Sequence, residues 1–156
     1  MKTDQFPNQS TTPKINVISV NKPYYIYYSH SIGYYNTQTE KEDLKFLRTK
    51  SAKVVNPNGL KLGSDIFQYL LKVKQCDAVW YRGYTQGVAF EVLTALAMRK
   101  HVFSLETKGT INSFDKPFFI KIFLCNDYIN QNLSLFEKIF PDYYSDFLSL
   151  LEGDMP

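Results

Sequence analysis

Apolar and polar positions along the chain fall into blocks whose period switches between two and about 3.6 residues, and the switches mark the elements. Ile15–Val20 alternates and predicts a short edge strand, interrupted by Pro23. Tyr24–Tyr28 is β-branched and aromatic without a breaker and predicts a strand. It runs into the small polar loop Ser29–Gly33. A helix is predicted over Glu40–Ser51, with Leu44 and Leu47 facing inward and Thr39 and Glu42 spaced as a capping box. Lys53–Val55 reads as a short strand stopped by the turn Asn56-Pro57-Asn58-Gly59. Ser64 can cap a helix over Asp65–Gln75, with Ile66, Tyr69, Leu70 and Val73 as its buried stripe.

The stretch Cys76–Glu106 then holds a strand (Ala78–Tyr81), a loop (Arg82–Gln86), a helix (Gly87–Arg99) and a strand (His101–Leu105). This is the unit from which parallel sheets are built. A polar loop follows over Lys108–Lys116. Phe118–Leu124, continuously apolar, predicts a fifth, buried strand. Two amphipathic helices, Tyr128–Phe140 and Tyr143–Leu151, close the chain, with a break at Pro141 and Asp142 as a cap. Strands alternating with helices of this length predict an α/β domain, a Rossmann-like three-layer fold with a mainly parallel five-stranded sheet and helices on both faces.

A chain of 156 residues suffices for one domain with a real core and is short for two. Residues 1–13, polar with two prolines, are expected to be a disordered tail, and residues 14–156 a single domain. Apolar residues at 44% and charged residues at 21% describe a soluble globular protein. The net charge of +3 does not repel phosphates, yet it makes no surface for polymeric nucleic acid. Cys76 and Cys125 have neither metal spacing nor a disulfide framework, and both are expected as buried free thiols in a reducing compartment. The N-terminal residues lack the apolar core of a secretory signal, and no apolar run approaches the ~18–20 residues of a membrane helix, so a cytoplasmic protein with no membrane partner is expected.

Ligands in such sheets bind at the carboxyl ends of the strands. Three polar loops should meet there: Ser29–Gly33, the region Asn56–Asp65, and Arg82–Gln86 leading into Gly87 and Glu91. Glu91 is the only acid between Asp77 and Glu106, and it interrupts an apolar run. It reads either as a first-turn glutamate favoured by the helix dipole or as a carboxylate held at the mouth of a pocket. The sequence has no G-x-G-x-x-G, no Walker sequence, no G-x-S-x-G elbow and only two histidines. Dinucleotide, triphosphate, serine-hydrolase and zinc chemistry are thus disfavoured. Hydroxyls, glycines, aromatics and one or two carboxylates remain. That inventory suits a sugar and a flat ring passing through an oxocarbenium-like transition state.

The segments Ile26–Gly33 (IYYSHSIG), Cys76–Val79 (CDAV) and Gly87–Leu105 (GVAFEVLTALAMRKHVFSL) resemble the nucleoside 2-deoxyribosyltransferase superfamily, which includes the 2'-deoxynucleoside 5'-monophosphate N-glycosidases. The resemblance covers about Tyr24–Leu105. It implies cleavage or transfer at the N-glycosidic bond of a (deoxy)nucleoside 5'-monophosphate or nucleoside, with Glu91 as the nucleophile. It also implies that Ser29, Ser31 and Gly33 lie along the sugar or its 5' substituent. Thr85, six residues before Glu91, stands where transferases on free nucleosides carry an acid and monophosphate hydrolases a small hydroxyl residue. With Gly87 and a helix N-terminus it can accept an anion. Arg82 adds charge for a phosphate or is an exposed loop arginine, and His30 donates to a phosphate or bonds nearby backbone. One departure stands out: where the superfamily carries an acid eight residues before the aspartate matched by Asp77, this chain has Tyr69. Asp65, one turn earlier on the same face, either substitutes for that acid or caps its helix. No metal or organic cofactor is expected. A homodimer or higher homo-oligomer is compatible with the resemblance. The second reading, supported by Tyr69, is a non-catalytic module that senses or sequesters a nucleotide.

Overall fold

The computed structural model describes residues 23–51, 53–60, 62–63, 65–125 and 129–153, the side chains of 129 and 130 excepted. The expected tail, the edge strand Ile15–Val20 and the cap Ser64 lie outside the described residues. The elements run β1 (Tyr25–His30), α1 (Gln38–Arg48), β2 (Lys53–Val55), a short α2 (Pro57–Leu60), α3 (Ile66–Gln75), β3 (Ala78–Arg82), α4 (Gln86–Ala97), β4 (His101–Ser104), β5 (Gly109–Thr110), α5 (Asp115–Leu124), α6 (Ile129–Ile139) and α7 (Tyr144–Leu151). The five strands form one mixed sheet in the order β2-β1-β3-β4-β5, in which β1 pairs parallel with β2 and β3, β3 pairs parallel with β4, and β5 runs antiparallel on β4.

Alternation along the strands divides the core. Tyr27, Val79 and Tyr81 face the side covered by α3, α4, α5, α6 and α7. Ile26, Tyr28 and Trp80 face the other side, where Leu47 of α1 packs with them. The larger core is aromatic at its centre: Phe90 lies 4.8 Å from Phe123 and 5.9 Å from Phe147, and Phe136 lies 4.4 Å from Phe147, centroid to centroid. Helix α4 is buried at every position from Val88 to Ala95. It is therefore the central rod of this side rather than an amphipathic cover.

Several boundaries depart from expectation. Phe118–Leu124 is helical, not a strand, and the fifth strand is Gly109–Thr110 within the polar loop. Asn112 starts α5: its Oδ1 accepts from the N–H groups of Phe114 and Asp115, at 2.9 and 2.8 Å. Pro117 sits in the first turn, where a helix tolerates it, and Asp115, Phe119 and Phe123 recur at helical spacing as its buried residues. Helix α1 is capped by Thr37, which accepts from Glu40 N, rather than by the predicted Thr39–Glu42 pair. Asn56-Pro57-Asn58-Gly59 opens the short α2 instead of a plain turn, with Asn56 Oδ1 accepting from Asn58 N at 3.0 Å. In α3, Phe67 takes the fully buried place given to Ile66 and Tyr69. Asp142 lies inside a 3-10 turn, Pro141–Tyr143, and does not cap α7. Both cysteines are free, Cys76 buried and Cys125 exposed, so the expected burial holds for the first alone. No helix among the described residues is long and apolar enough to cross a membrane.

The turn after β3 is tightly specified. Gly83 has φ +96°, and a Cβ built there would stand 2.1 Å from Ser31 Oγ. Gly83→Ala is expected to lower the unfolding free energy by about 1–3 kcal/mol in urea titration. Adding Ser31→Ala should recover only the steric part of that loss, because the strained backbone remains.

Candidate functional site

The carboxyl ends of β1 and β3 lie side by side, but the chain leaves them in opposite directions, toward β2 and toward β4. Connections that diverge in this way open a crevice at the sheet edge. A cavity of about 780 Å³ occupies it. All three loops singled out from the sequence contribute: His30 at the end of β1 and Ile32, Gly33 and Tyr35 after it; Pro57 and Gly63 in the second region; Tyr84, Thr85, Gln86 and Gly87 after β3. Ile66 and Tyr69 of α3, Val88 and Glu91 of α4 and Ile122 of α5 complete the lining. The volume falls within the range of small-molecule sites, ~300–1,000 Å³.

Glu91 is the polar focus of this wall. It sits in the second turn of α4, past the dipole-favoured first turn, and is only 6% exposed. Period-two geometry turns Tyr27 and Ser29 of β1 to the α4 side. There, Tyr27 Oη donates to Glu91 Oε2 at 2.5 Å and Ser29 Oγ donates to Oε1 at 2.7 Å. Each carboxylate oxygen is thus oriented by a hydroxyl. Burial raises the Glu91 carboxyl from 4.5 to about 7, against the two hydrogen bonds that favour its charged form. Burial, reinforced by the adjacent Glu91, also raises the Tyr27 phenol well above 10, so Tyr27 remains the donor.

The opposite face of β1 builds a second polar network. His30 is buried, with Nδ1 3.1 Å from Tyr28 O and Nε2 2.8 Å from Glu40 Oε2. Its ring stacks on Tyr28 at 3.7 Å between centroids. Glu40 also accepts from Asn36 N and from Asn58 Nδ2, at 3.0 and 3.1 Å. Burial opposes its charge, but these donors outweigh burial and hold the carboxyl below its usual 4.5. The cluster clamps the start of α1 and α2 to the end of β1. His30 therefore lines the cavity with both ring nitrogens already facing oxygens.

Arg82 does not line the cavity. It forms a two-point ion pair with Asp43 of α1, Nε to Oδ2 at 2.7 Å and Nη2 to Oδ1 at 2.9 Å, and Tyr28 Oη donates to the same Oδ2 at 2.5 Å. Ser31 packs against Gly83, its N–H bonded to Arg82 O at 3.3 Å, and it too lies outside the lining. Asp65 is exposed and caps α3, accepting from Phe67 N at 3.0 Å, and it is not among the lining residues although its neighbour Ile66 is. Tyr69 lines the cavity and donates to Gly63 O at 3.0 Å. Thr85 caps α4, accepting from Val88 N at 3.4 Å, and it lines the cavity together with Gly87 and Gly33. Ser29 reaches the site through Glu91.

Sequence reasoning left Glu40, Asp43 and Tyr84 out of the site and gave Tyr27 and Tyr35 no more than packing or stacking on a base. Tyr27 carried a usable signal, because it stands two residues before Ser29 in a strand and so shares its face. The Asp115 cluster had none: Tyr81 and Tyr84 both donate to Asp115, across more than thirty positions of sequence. Among the described residues no group of three or more His, Cys, Asp or Glu side chains stands ready to hold a metal ion. The chain matches no model of a known protein family, no curated protein and no solved structure.

The elevated Glu91 carboxyl has a consequence for stability. Its folded value, about 7, lies above the unfolded 4.5, so the stabilisation it gives is complete below pH 4.5 and is lost as pH rises through 7. The loss is on the order of 3 kcal/mol. Glu91→Gln removes this titration. Urea unfolding at pH 5 and pH 8 should show the wild type losing more stability than the variant across that interval; parallel changes would contradict a raised carboxyl.

Proposed function

We propose that this cavity cleaves or transfers at the N-glycosidic bond of a (deoxy)nucleoside 5'-monophosphate or nucleoside, on a Rossmann-like fold of the nucleoside 2-deoxyribosyltransferase kind. The observation that carries the reading is Glu91: a buried carboxylate on the wall of a ligand-sized cavity, each oxygen aimed by a separate hydroxyl. A nucleophile that must meet one carbon needs this kind of fixed aim. In the proposed step Glu91 attacks the anomeric carbon, the bond to the base nitrogen breaks, and its electron pair leaves with the base. Water, or a second base, then cleaves the glycosyl ester and restores the carboxylate. Tyr35, Tyr69 and Tyr84 offer apolar walls for a flat ring.

Thr85 supports a phosphate at the 5' end. Its oxygen accepts from Val88 N, which leaves its hydroxyl proton for an outside acceptor, beside the first N–H groups of α4. Arg82, bound to Asp43, plays no part in this reading, and Asp65 acts as a cap rather than an acid. A second reading, a module that binds a nucleotide without cleaving it, is favoured by one observation. Glu91 is the sole carboxylate among the described lining residues, and the Tyr69 hydroxyl at the missing acid's place is engaged by Gly63.

Incubation with a panel of nucleoside monophosphates and nucleosides, followed by chromatography of free base, separates the two. An enzyme should lose about 10³-fold or more in turnover in Glu91→Gln while still binding substrate. Because attack needs the ionised form, kcat/KM should rise with pH along a limb centred near 7; a limb near the ordinary 4.5 would count against Glu91. No release from any substrate, with a thermal shift by one nucleotide, would establish the binding module. Thr85→Asp, an equally good helix cap, should weaken monophosphates by at least about tenfold and spare nucleosides. Equal weakening of both would remove the phosphate from Thr85.

A further inference from the structure

The cavity wall carries the tyrosines 35, 69 and 84, and two of them have committed hydroxyls. Tyr69 donates to Gly63 O, and Tyr84 to Asp115 Oδ1 at 3.1 Å. Glu91 already receives two donors, and both nitrogens of His30 are engaged. Tyr35 differs: among the described residues its hydroxyl makes no hydrogen bond, although the side chain is half-buried on the cavity wall. The residue is nonetheless held in place. Its N–H bonds Ile32 O at 2.9 Å, closing the turn after β1, and its ring rests on His30 at 4.8 Å. The phenol lies within electrostatic reach of Glu91, Tyr69 and Glu40.

We propose that Tyr35 is the hydrogen-bond donor to the leaving base, a catalytic residue that acts on the base while Glu91 acts on the sugar. The proposal rests on the N-glycosidic reading of the cavity. Breaking the bond delivers an electron pair to the base, and a donor aimed at that charge lowers the barrier. The Glu91 oxygen forms the new bond to the anomeric carbon. The base departs as an anion hydrogen-bonded to the phenol and takes its proton from water on release; the water that resolves the ester returns a proton to that hydroxide. Tyr35 ends the cycle as it began. Burial, then the charges of Glu91, Tyr69 and Glu40, push its phenol up to about 12, which keeps the donor proton in place across the working pH range.

The test is Tyr35→Phe in the full chain, read as base release from nucleoside monophosphates carrying ordinary and fluorinated bases. The expected result is a kcat about 10–100-fold lower, KM within about threefold, and a loss that shrinks with the electron-poor fluorinated bases. The melting temperature should not move, because the hydroxyl holds no internal partner. Full turnover in Tyr35→Phe beside an inactive Glu91→Gln would overturn the Tyr35 assignment and leave the glycosidic reading standing. A loss equal for every base, or one confined to KM, would also overturn it, placing the hydroxyl in ground-state binding. Absence of base release by the wild type would overturn both.

Discussion

A charged group in the middle of a core helix is the constraint around which the described structure is arranged. Glu91 lies on α4, the most enclosed element, with apolar residues before and after it. A carboxylate there is costly unless it is hydrogen-bonded. Tyr27 and Ser29 provide those bonds from one face of β1, and they do so by side chain alone, leaving the strand's backbone to the sheet. The pairing also fixes how α4 sits on the sheet, since a rotation of the helix that moved Glu91 away would leave two buried hydroxyls without an acceptor.

The same six residues of β1 organise the other face. Tyr28 and His30 alternate with Tyr27 and Ser29, and they engage Asp43 and Glu40 of α1. Arg82 at the end of β3 closes on Asp43, so β1, β3 and α1 meet in one charged cluster beside the cavity, with His30 at its lining and Arg82 and Asp43 outside it. One strand thus aims the carboxylate on its first face and fixes the loop after it on its second. The ion pair is partly buried and bonded at two points, the geometry in which such pairs specify position more than they stabilise.

The alternation of strands and helices made the parallel part of the sheet legible, because Tyr25–His30, Lys53–Val55, Ala78–Arg82 and His101–Ser104 all lie within a few residues of their expected places. Glu91 was legible as an anomaly in an apolar run; Thr85 was read as an anion-accepting hydroxyl in the loop before the helix, and the structure makes it that helix's cap. Phe118–Leu124 was not. An unbroken apolar run carries no period, and the deciding signals, Asn112 and Pro117, lie upstream of it. The roles of Arg82 and Asp65 were open for a different reason: whether a loop arginine or a helix-start aspartate faces a ligand depends on a partner elsewhere in the chain. Asp43 is 39 positions from Arg82, and no local pattern joins them.

Holding Glu91 in place draws on the whole larger core. Burial raises its carboxyl to about 7 despite two hydrogen bonds, so above neutrality the folded state carries a charge its surroundings resist. That resistance is offset by apolar contacts around α4: Phe90 packs on Phe123, Phe136 and Phe147, which ties α5, α6 and α7 to the helix. Among the described residues, these C-terminal helices contribute only Ile122 to the cavity. Their aromatic packing stabilises a helix that carries a buried carboxyl, a group whose charged form the surroundings disfavour. Of the 12 phenylalanines, Phe67, Phe90, Phe119, Phe123, Phe136, Phe140 and Phe147 lie in this core, so much of their abundance serves the packing around the helix that carries Glu91.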